Sequence, residues 1–346
     1  MSEHLRIAQV APVAMPVEPA KGDSIEQLVW LLSEELVRRG HAVTLFATGD
    51  SRTSARLSSV YPRGYDHDED LWDWYFHETM NAAAAFERAD DFDVVHCHDY
   101  HFALPFAWTT ATPVVHTYHV EMNPDVLAAY ASYPDVRLVA ISDFQRSRLA
   151  ALPNVSVIRH GIDTRAFPFG ATRGDHLLYL GRMIEDKGPL EAIRVAAELD
   201  MALVLAGPGG EWFDAEVAPR VDGERVRYLG PVDVAQRNEL LAGAGALLFP
   251  VVYPEPFGLV TIEAMACGTP VAATRVGAVP EIVDEGITGS CADSPAGLAE
   301  AVSRALLLDR ARVRERAVER FDYHRMVDEY EALYASAVAE RVSAAQ

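Results

Sequence analysis

Two carboxylates, Glu255 and Glu263, flank the start of an apolar stretch in "PEPFGLVTIEAMACGTP" (254–270). The run from Leu259 to Ala266 contains good helix formers and ends before Gly268, which predicts a short helix fed by a loop. Because this helix is apolar on nearly every side it should be buried, and an acid inside it needs a partner. A ligand is a reasonable partner for Glu263, since no Arg or Lys lies within one helical turn. The plainer alternative is that one acid caps the helix and the other faces water.

Lysine is used very selectively in this chain. Of the 30 basic residues only Lys21 and Lys187 are lysines, and a glycine follows each of them just before a predicted helix. A compact ammonium is suited to a phosphate, although two such positions can also arise by chance. We favour a function for Lys187, because Arg182 lies five residues before it. Two cations would then flank the helix that is predicted to begin at Pro189.

A second anion site is predicted where the helix after Phe257 begins. The backbone N–H groups of Gly258, Leu259 and Val260 have no partner within a helix and point out of its N-terminus. Gly258 has no side chain to obstruct a phosphate. Together with the two cations, this helix start predicts a cradle for a diphosphate.

The two acids then receive different expected partners. Glu263, about one turn into the helix, is placed to accept two ribose hydroxyls, as the acid of dinucleotide-binding folds does. Glu255 suits a hydroxylated or transiently cationic group beyond the diphosphate. A nucleoside diphosphate joined to a sugar satisfies all of these sites, without a separate cofactor. UDP is the working nucleotide, while the residues themselves select neither the base nor the sugar.

Four segments together resemble a known family: "DVVHCHDY", "GRMIEDKG", "LAGPGG" and "PEPFGLVTIEAMACGTPVAATRVGAVPEIV". They resemble the family 4 glycosyltransferases, retaining enzymes of the GT-B architecture with two Rossmann-like domains. The resemblance spans nearly the whole chain, and the E-x7-E spacing of Glu255 and Glu263 is highly specific in that context. It implies metal-independent transfer of a sugar, with retention of anomeric configuration, to a hydroxyl acceptor that is a small molecule or a glycan.

The resemblance also implies roles for individual residues. Arg182 and Lys187 would hold the donor diphosphate, Glu263 the ribose, and Glu255 the donor sugar. His119, at the end of "TPVVHTYH", is similar to the family histidine that approaches the sugar's hydroxymethyl group, so Glu255 and His119 are the expected catalytic residues. The other implied donor contacts are Gly22, Gly207, Gly258, Leu259 and Val260. Apart from the resemblance, Asp99 and Tyr100 follow a predicted strand end and are expected acceptor contacts, with ordinary loop polarity as the equal alternative.

The sequence departs from the family pattern at three places. Asp23 follows Gly22 where the family usually has a second glycine, so this acid must point away from a bound diphosphate. His160 in "IRHGID" occupies the position of a common asparagine, and Val120 follows His119 in place of glycine. These changes bear on the choice of sugar and acceptor more than on the class of reaction.

The elements that must position these residues alternate along the chain. Apolar strand-length segments such as "LRIAQVAP", "HAVTLFA" and "HLLYLG" alternate with amphipathic helix-length segments, which predicts an α/β fold with βαβ units on parallel sheets. The pattern is interrupted at 153–175, and we place the linker in its second half. The predicted domains are 1–165 on the acceptor side and 166–322 on the donor side. A C-terminal helix (323–346) is expected to pack back on the first domain, and the site is expected in a cleft at the strand ends.

Composition excludes some classes of partner. The chain has 346 residues with a formal charge of −21, which argues against a nucleic-acid backbone or an anionic membrane surface as the main partner. Three widely spaced cysteines, with no recognisable targeting or membrane-spanning segment, favour a cytoplasmic protein. Composition leaves the oligomeric state open.

Several alternative functions are compatible with the sequence. "HCHDYH" (96–101) could be a metal site, although a strand end with ordinary polar residues is the favoured reading. A nucleotide-sugar epimerase or a phosphorylase of the same architecture, or a nucleotide-sugar-binding protein without catalysis, would use the same residues. A dinucleotide oxidoreductase is disfavoured, because no clean G-x-G-x-x-G follows the first strand.

Overall fold

A computed structural model describes residues 4–19, 24–67 and 73–344. By its contacts the chain divides into two compact units, one made of Met1–Gly161 with Tyr323–Gln346 and the other of Ile162–Asp322. The division falls at residue 161, four positions before the boundary of 165 that the sequence suggested. The first is called the N-terminal unit and the other the second unit.

The described part of the N-terminal unit contains seven parallel strands: β1 (Arg6–Val10), β2 (Ala42–Phe46), β3 (Arg56–Ser58), β4 (Val94–Cys97), β5 (Val114–Thr117), β6 (Arg137–Ala140) and β7 (Val155–Val157). They lie in the sheet in the order β3-β2-β1-β4-β5-β6-β7. The central strands β4 and β5 are buried throughout, as a sheet covered on both faces requires.

Among the described residues of this unit, five helices accompany the sheet: α1 (Ser24–Arg38), α2 (Trp74–Phe86), α3 (Pro124–Ala131), α4 (Asp143–Arg148) and α11 (Tyr323–Ala344). Three of them start at a polar cap, because Asp73, Asn123 and Ser142 each accept a hydrogen bond from a backbone N–H three residues ahead. Within the part of the chain that the structure describes, no helix combines the length and the apolar character needed to cross a membrane.

The second unit contains six parallel strands in the order β10-β9-β8-β11-β12-β13. The strands are β8 (His176–Leu180), β9 (Ala202–Ala206), β10 (Val226–Tyr228), β11 (Ala246–Phe249), β12 (Val271–Thr274) and β13 (Gly289–Ala292). Its helices are α5 (Pro189–Glu198), α6 (Val234–Gly243), α7 (Leu259–Ala266), α8 (Val279–Ile282), α9 (Leu298–Ala305) and α10 (Arg310–Phe321). The predicted α/β architecture with two parallel sheets is confirmed.

The interpretation of 153–175 as an interruption of the strand and helix pattern is wrong in its first part. Residues Val155–Val157 form β7, which pairs with β6 at the edge of the first sheet. All three residues are only half-buried. A three-residue edge strand of this kind gives too short an apolar run for its periodicity to be recognised.

The C-terminal helix α11 belongs to the N-terminal unit and is held there by polar contacts. Arg39, just after α1, pairs with Asp328 at 2.5 Å and also with Glu331. His41 Nε2 lies 2.8 Å from a carboxylate oxygen of Glu331. Tyr334 of the same helix is fully buried. The helix therefore carries side chains into the interior of this unit.

A buried arginine fastens α10 to the body of the second unit. The Arg310 guanidinium donates to the carbonyl oxygens of Ala242 and Ala244, each at 2.8 Å, and to that of Gly170. It also donates to Thr269 Oγ1 at 2.7 Å. Burial lowers the pKa of Arg310. The arginine remains charged because its acceptors replace most of the lost hydration.

Arg310→Met should lower the free energy of unfolding by about 2–4 kcal/mol, because it removes the donor from the buried Ala244 carbonyl and Thr269 hydroxyl and from two half-buried carbonyl groups. Urea unfolding followed by circular dichroism measures the loss. Arg312→Met, at an exposed position of the same helix, is the matched control and should change stability by less than about 0.5 kcal/mol. Equal losses in the two variants would show that the carbonyl contacts are not the cause.

Candidate active site

A cavity of about 230 Å³ in the second unit brings together six of the residues that the sequence analysis singled out. These six are Arg182, Lys187, Glu255, Gly258, Leu259 and Val260. The cavity lies after the carboxyl ends of β8 and β11, which are neighbours in the sheet. A parallel sheet places the loops that follow its strands at one edge, so two distant parts of the sequence meet there.

Lys187 and Glu255 are partners within this cavity. Lys187 Nζ donates to Glu255 Oε2 at 2.6 Å and to Tyr253 Oη at 2.6 Å. Tyr253 Oη donates in turn to Glu255 Oε2 at 2.5 Å. The side chains of Lys187 and Glu255 are only 17% and 11% exposed, so the pair is largely shielded from water. An anion that binds the Lys187 ammonium therefore competes with the Glu255 carboxylate, which already contacts it.

The backbone around Glu255 is fixed by a close approach of another loop. The N–H of Ala278 donates to the Glu255 carbonyl oxygen at 2.8 Å. Gly277 has a φ of +57°, and a Cβ at this position would lie 2.3 Å from that same oxygen. Glycine is therefore required where this loop passes Glu255.

The helix predicted after Phe257 is confirmed. Helix α7 spans Leu259–Ala266 and its N-cap is Gly258, in the left-handed conformation with φ +90°. The first turn of α7 lines the cavity through Gly258, Leu259 and Val260. Its free backbone N–H groups, together with Lys187, give the cavity positive partial and full charges that suit a phosphate.

Glu263 has a partner within the chain, which the sequence analysis did not find. Arg237 of α6 places Nη1 3.3 Å from Glu263 Oε1, and both side chains are nearly buried. Burial raises the pKa of Glu263, and the charge of Arg237 partly offsets that effect. Glu263 therefore has an ionic partner within the protein, and its burial does not by itself require a ligand. Among the described residues, Glu263 is not part of the lining of the 230 Å³ cavity.

Gly207 is a further glycine of the predicted donor site, and it packs against the cavity wall. Gly207, at the end of β9, has a φ of +135°, and a Cβ there would lie 2.0 Å from the carbonyl oxygen of Gly181. Gly181 lines the cavity, so Gly207 supports its wall from behind. Gly22 and Lys21 lie outside the described residues.

His119 lies in the N-terminal unit, just after β5, within a cluster of histidines. Its Nε2 is 3.0 Å from His98 Nδ1, and its ring stacks on that of His160, with 5.2 Å between the centroids. Burial keeps the pKa of His119 and of His98 well below the ordinary value, and it lowers the pKa of His160 to about 3. These histidines are therefore neutral at pH 7.

The predicted acceptor contacts, Asp99 and Tyr100, follow β4 but differ in exposure. Asp99 is 1% exposed, and its carbonyl oxygen accepts from His116 Nε2 at 2.5 Å. Its carboxylate oxygens have no hydrogen-bond partner among the described residues. Tyr100 is 37% exposed and lies edge-on to Trp74. Of the two, Tyr100 presents the accessible side chain.

The histidines of "HCHDYH" are engaged with neighbouring side chains. His96 contacts Tyr334 and Thr117, and His98 contacts Gln9 and His119. In the described ranges, no group of three metal-binding side chains is arranged around a common point. The three cysteines are buried and unpaired, as expected for small apolar residues.

Three residues of these sites were not recognised from the sequence: Tyr253, Arg237 and Gln9. His98 was considered there only as part of a possible metal site. Tyr253 carried a local signal, because it lies two positions before Glu255. Arg237 lies 26 positions before Glu263 on another helix, and Gln9 lies 89 positions before His98. Contacts over such separations depend on the sheet order, which local patterns do not specify.

Two family models match the chain, each over one of the regions that carry these residues. The model described as "Glycosyltransferase Family 4" matches residues 25–166, and the one described as "Glycosyl transferases group 1" matches residues 174–307. The chain belongs to glycosyltransferase family 4 and has the GT-B fold.

Individual relatives agree with this assignment. The chain is 32% identical over 260 residues to a glycogen synthase of Mycobacterium tuberculosis, a match that covers 65% of this chain and 62% of that protein's length. It is 26% identical to a D-inositol 3-phosphate glycosyltransferase of Mycolicibacterium smegmatis, covering 97% of this chain and 92% of the relative. Among solved structures it is similar to AviGT4, a glycosyltransferase involved in avilamycin A biosynthesis, with a TM-score of 0.74, 25% identity and coverage of 97% and 98%.

The neutral histidines predict a specific loss of stability in acid. A histidine whose folded pKa lies below its unfolded pKa takes up a proton on unfolding, so the free energy of unfolding falls as the pH drops below about 6.5. For His160 this loss should continue until the pH approaches its folded pKa of about 3. Each such histidine contributes about 1.4 kcal/mol per pH unit in that range.

His160→Phe should therefore reduce the slope of unfolding free energy against pH, between pH 6 and pH 5, by the equivalent of about one proton. Urea unfolding at half-unit steps from pH 8 to pH 5 measures this slope. Phenylalanine keeps an aromatic ring against His119, so the comparison at pH 8 reports any packing cost separately. An unchanged slope would mean that His160 is protonated in the folded protein.

Proposed function

We propose that this protein transfers a sugar from a nucleoside-diphosphate sugar to a hydroxyl acceptor, with retention of anomeric configuration and without a metal ion. The observation that carries the proposal is the cavity after β8 and β11. It combines Lys187, Arg182, the N-terminus of α7 and the shielded carboxylate of Glu255. This is a site for a diphosphate with an acid beside it, as transfer from an activated sugar requires.

Each residue has a distinct part in the proposed reaction. Lys187 and Arg182 neutralise the leaving diphosphate, and the N–H groups at the start of α7 bind its oxygens. Glu255 orients the sugar and stabilises the positive charge that develops at its anomeric carbon. Because Tyr253 and Lys187 hold the Glu255 carboxylate in one orientation, this charge stabilisation needs little rearrangement.

Bond changes in the proposed step balance without a covalent enzyme intermediate. The bond from the anomeric carbon to the diphosphate oxygen breaks, and the acceptor oxygen bonds to the same face of that carbon. The acceptor's proton passes to an oxygen of the departing diphosphate. A short-lived oxocarbenium ion exists between cleavage of the bond to the diphosphate and formation of the bond to the acceptor. Glu255 therefore needs to act only through its charge.

The relatives differ from one another in the acceptor that their names indicate. One of them is a glycogen synthase and another acts as a D-inositol 3-phosphate glycosyltransferase. We propose a small-molecule or glycan hydroxyl as the acceptor, with Tyr100 as its accessible contact and His119 as a second catalytic residue. Glu263 is proposed to hold the ribose with its remaining oxygen, while Arg237 fixes the other. UDP remains the working nucleotide and the cytoplasm the expected compartment.

Two other functions use the same cavity and are separated by product analysis. An epimerase would isomerise the sugar nucleotide in the absence of an acceptor. A binding protein without catalysis would leave the donor intact on prolonged incubation, whereas a transferase hydrolyses it slowly with water as the acceptor. The shielded ion pair of Lys187 and Glu255 favours a catalyst, because binding alone does not need an acid beside the phosphate site.

The two glutamates should respond differently to substitution. Glu255→Gln should leave nucleoside-diphosphate binding nearly unchanged and lower kcat by roughly 10² or more, the scale on which removal of one electrostatic stabiliser slows an enzyme. Glu263→Gln should weaken the nucleoside diphosphate and the sugar nucleotide alike, because a ribose contact acts equally in ground and transition states. Calorimetric titration, followed by turnover at saturating donor, makes the comparison.

Glu185→Gln is the matched control, since Glu185 is an exposed acid two residues before Lys187. It should change neither binding nor kcat. The melting temperature of Glu263→Gln must be measured as well, because this change leaves Arg237 without its carboxylate. Loss of nucleotide binding with intact turnover in Glu255→Gln would exchange the roles of the two acids.

Metal independence gives a separate test. Lys187, Arg182 and the N-terminus of α7 take the part that a divalent ion plays in other sugar transferases, so EDTA should leave kcat within about twofold of its original value. The assay compares turnover before chelation, after chelation and after return of Mg²⁺ or Mn²⁺. Complete loss that one of these ions restores would refute the proposal of a metal-free diphosphate site.

A further inference from the structure

A chain of hydrogen bonds crosses the interior of the N-terminal unit, from helix α11 to His119. Gln9 Nε2 donates to Tyr334 Oη at 3.1 Å. His98 Nε2 lies 2.9 Å from Gln9 Oε1, and His98 Nδ1 lies 3.0 Å from His119 Nε2. Tyr334, Gln9 and His98 are all buried.

The amide of Gln9 gives this chain a direction. An amide oxygen only accepts and an amide nitrogen only donates, so His98 Nε2, which faces Gln9 Oε1, must carry a hydrogen. A neutral His98 then has a bare Nδ1, which accepts from His119 Nε2. Because His119 is also neutral, its second nitrogen, Nδ1, carries no hydrogen.

A branch of the chain at Tyr334 agrees with this direction. Tyr334 Oη lies 2.6 Å from His96 Nδ1, and His96 Nε2 lies 2.8 Å from Thr117 Oγ1. If Tyr334 gives its hydrogen to His96, its lone pairs are left to accept from Gln9. Thr117 Oγ1 is also 2.9 Å from Tyr330 Oη, so every member of this branch has a donor or an acceptor available to it.

At its His119 end, the hydrogen-bond chain stops at an acceptor atom that lacks a donor among the described residues. His119 Nδ1 is buried and has no hydrogen-bond partner among the described residues. The His160 ring stacks on the face of His119 and therefore does not satisfy a lone pair that lies in the plane of the ring. A buried acceptor without a donor is unfavourable, so His119 Nδ1 is suited to accept from the O–H group of a bound ligand.

We propose that Tyr334, Gln9 and His98 are positioning residues that hold His119 as the Nε2–H tautomer, so that Nδ1 accepts a hydrogen bond from a substrate hydroxyl. The inference rests on the proposed function, because a sugar-transfer substrate is what supplies that hydroxyl. It gives the site a selectivity. A hydroxyl donates to the bare Nδ1, whereas a carboxylate or a phosphate oxygen at the same place has no hydrogen to donate and is repelled.

Nuclear magnetic resonance tests the tautomer directly in the unaltered protein. Long-range ¹H–¹⁵N correlation spectra of protein labelled with ¹⁵N-histidine, at pH 7 and without substrate, distinguish a bare Nδ1 from a protonated one. Both His98 and His119 should be Nε2–H tautomers, assigned through the loss of a signal in His98→Gln and in His119→Phe. A protonated Nδ1 at His119 would overturn the inference and leave the proposed sugar transfer intact.

Gln9→Met tests the origin of the direction. Methionine fills a similar volume but neither donates nor accepts as the amide does, so His119 should show a mixture of tautomers and kcat should fall on the order of tenfold. The affinity for nucleoside diphosphate should stay unchanged, which a general loss of folding would not allow. Gln27→Met, at a half-buried glutamine of α1, is the control and should alter neither. An unchanged kcat together with mixed tautomers would overturn the role of the chain in turnover.

Donor analogues identify the hydroxyl. Each sugar hydroxyl is replaced in turn by fluorine, which keeps the size of the group but cannot donate a hydrogen bond. The unaltered protein should lose turnover most at one position, and His119→Phe should lose no more at that position than at the others. Persistence of the position-specific loss in His119→Phe would refute the contact. Absence of any sugar transfer or donor hydrolysis, with the expected tautomer present, would refute the proposed function and not the hydrogen-bond chain.

Discussion

The parallel pairing of β8 with β11 is the constraint on which the cavity in the second unit depends. It joins Leu177 to Ala246 and Leu178 to Leu247, residues almost 70 positions apart in the sequence. The loop after β8 carries Lys187, and the loop after β11 carries Glu255. Because both strands run in the same direction, their following loops meet at one edge of the sheet. The 2.6 Å contact of Lys187 with Glu255 is thus a consequence of the sheet order.

Both acids of the E-x7-E motif form ion pairs within the protein in the absence of a ligand. Glu255 is held by Lys187 and Tyr253, and Glu263 is held by Arg237. Leaving either carboxylate shielded and unpaired would be costly, so the pairs remove a penalty and also fix the orientation of each acid. An anion that binds Lys187 would share this cation with Glu255. Anion binding and the electrostatic state of the Glu255 carboxylate are therefore coupled.

The sequence predicted a structural element correctly where all the residues that determine it lie in one continuous segment. Helix α7 was predicted with its observed bounds, because its helix formers, the glycine before it and the glycine after it are adjacent in the chain. The partner of Glu263 was missed, since Arg237 reaches it from another helix. The short strand β7 was missed because three half-buried residues give no clear period. Side-chain directions, as in the chain from Tyr334 to His119, follow only from the folded positions of four separate segments.

The cavity of the second unit and the histidine cluster of the N-terminal unit treat buried polar groups in opposite ways. The second unit keeps full charges and pairs them, which suits an anion such as a diphosphate. In the histidine cluster of the N-terminal unit, burial keeps His98, His119 and His160 neutral, and the hydrogen-bond partners of His98 among the described residues carry no charge. Neutral imidazoles recognise a partner only through the direction of their hydrogen bonds. A single glutamine that fixes this direction therefore determines whether His119 offers a proton or accepts one, and Gln9 sets it to accept.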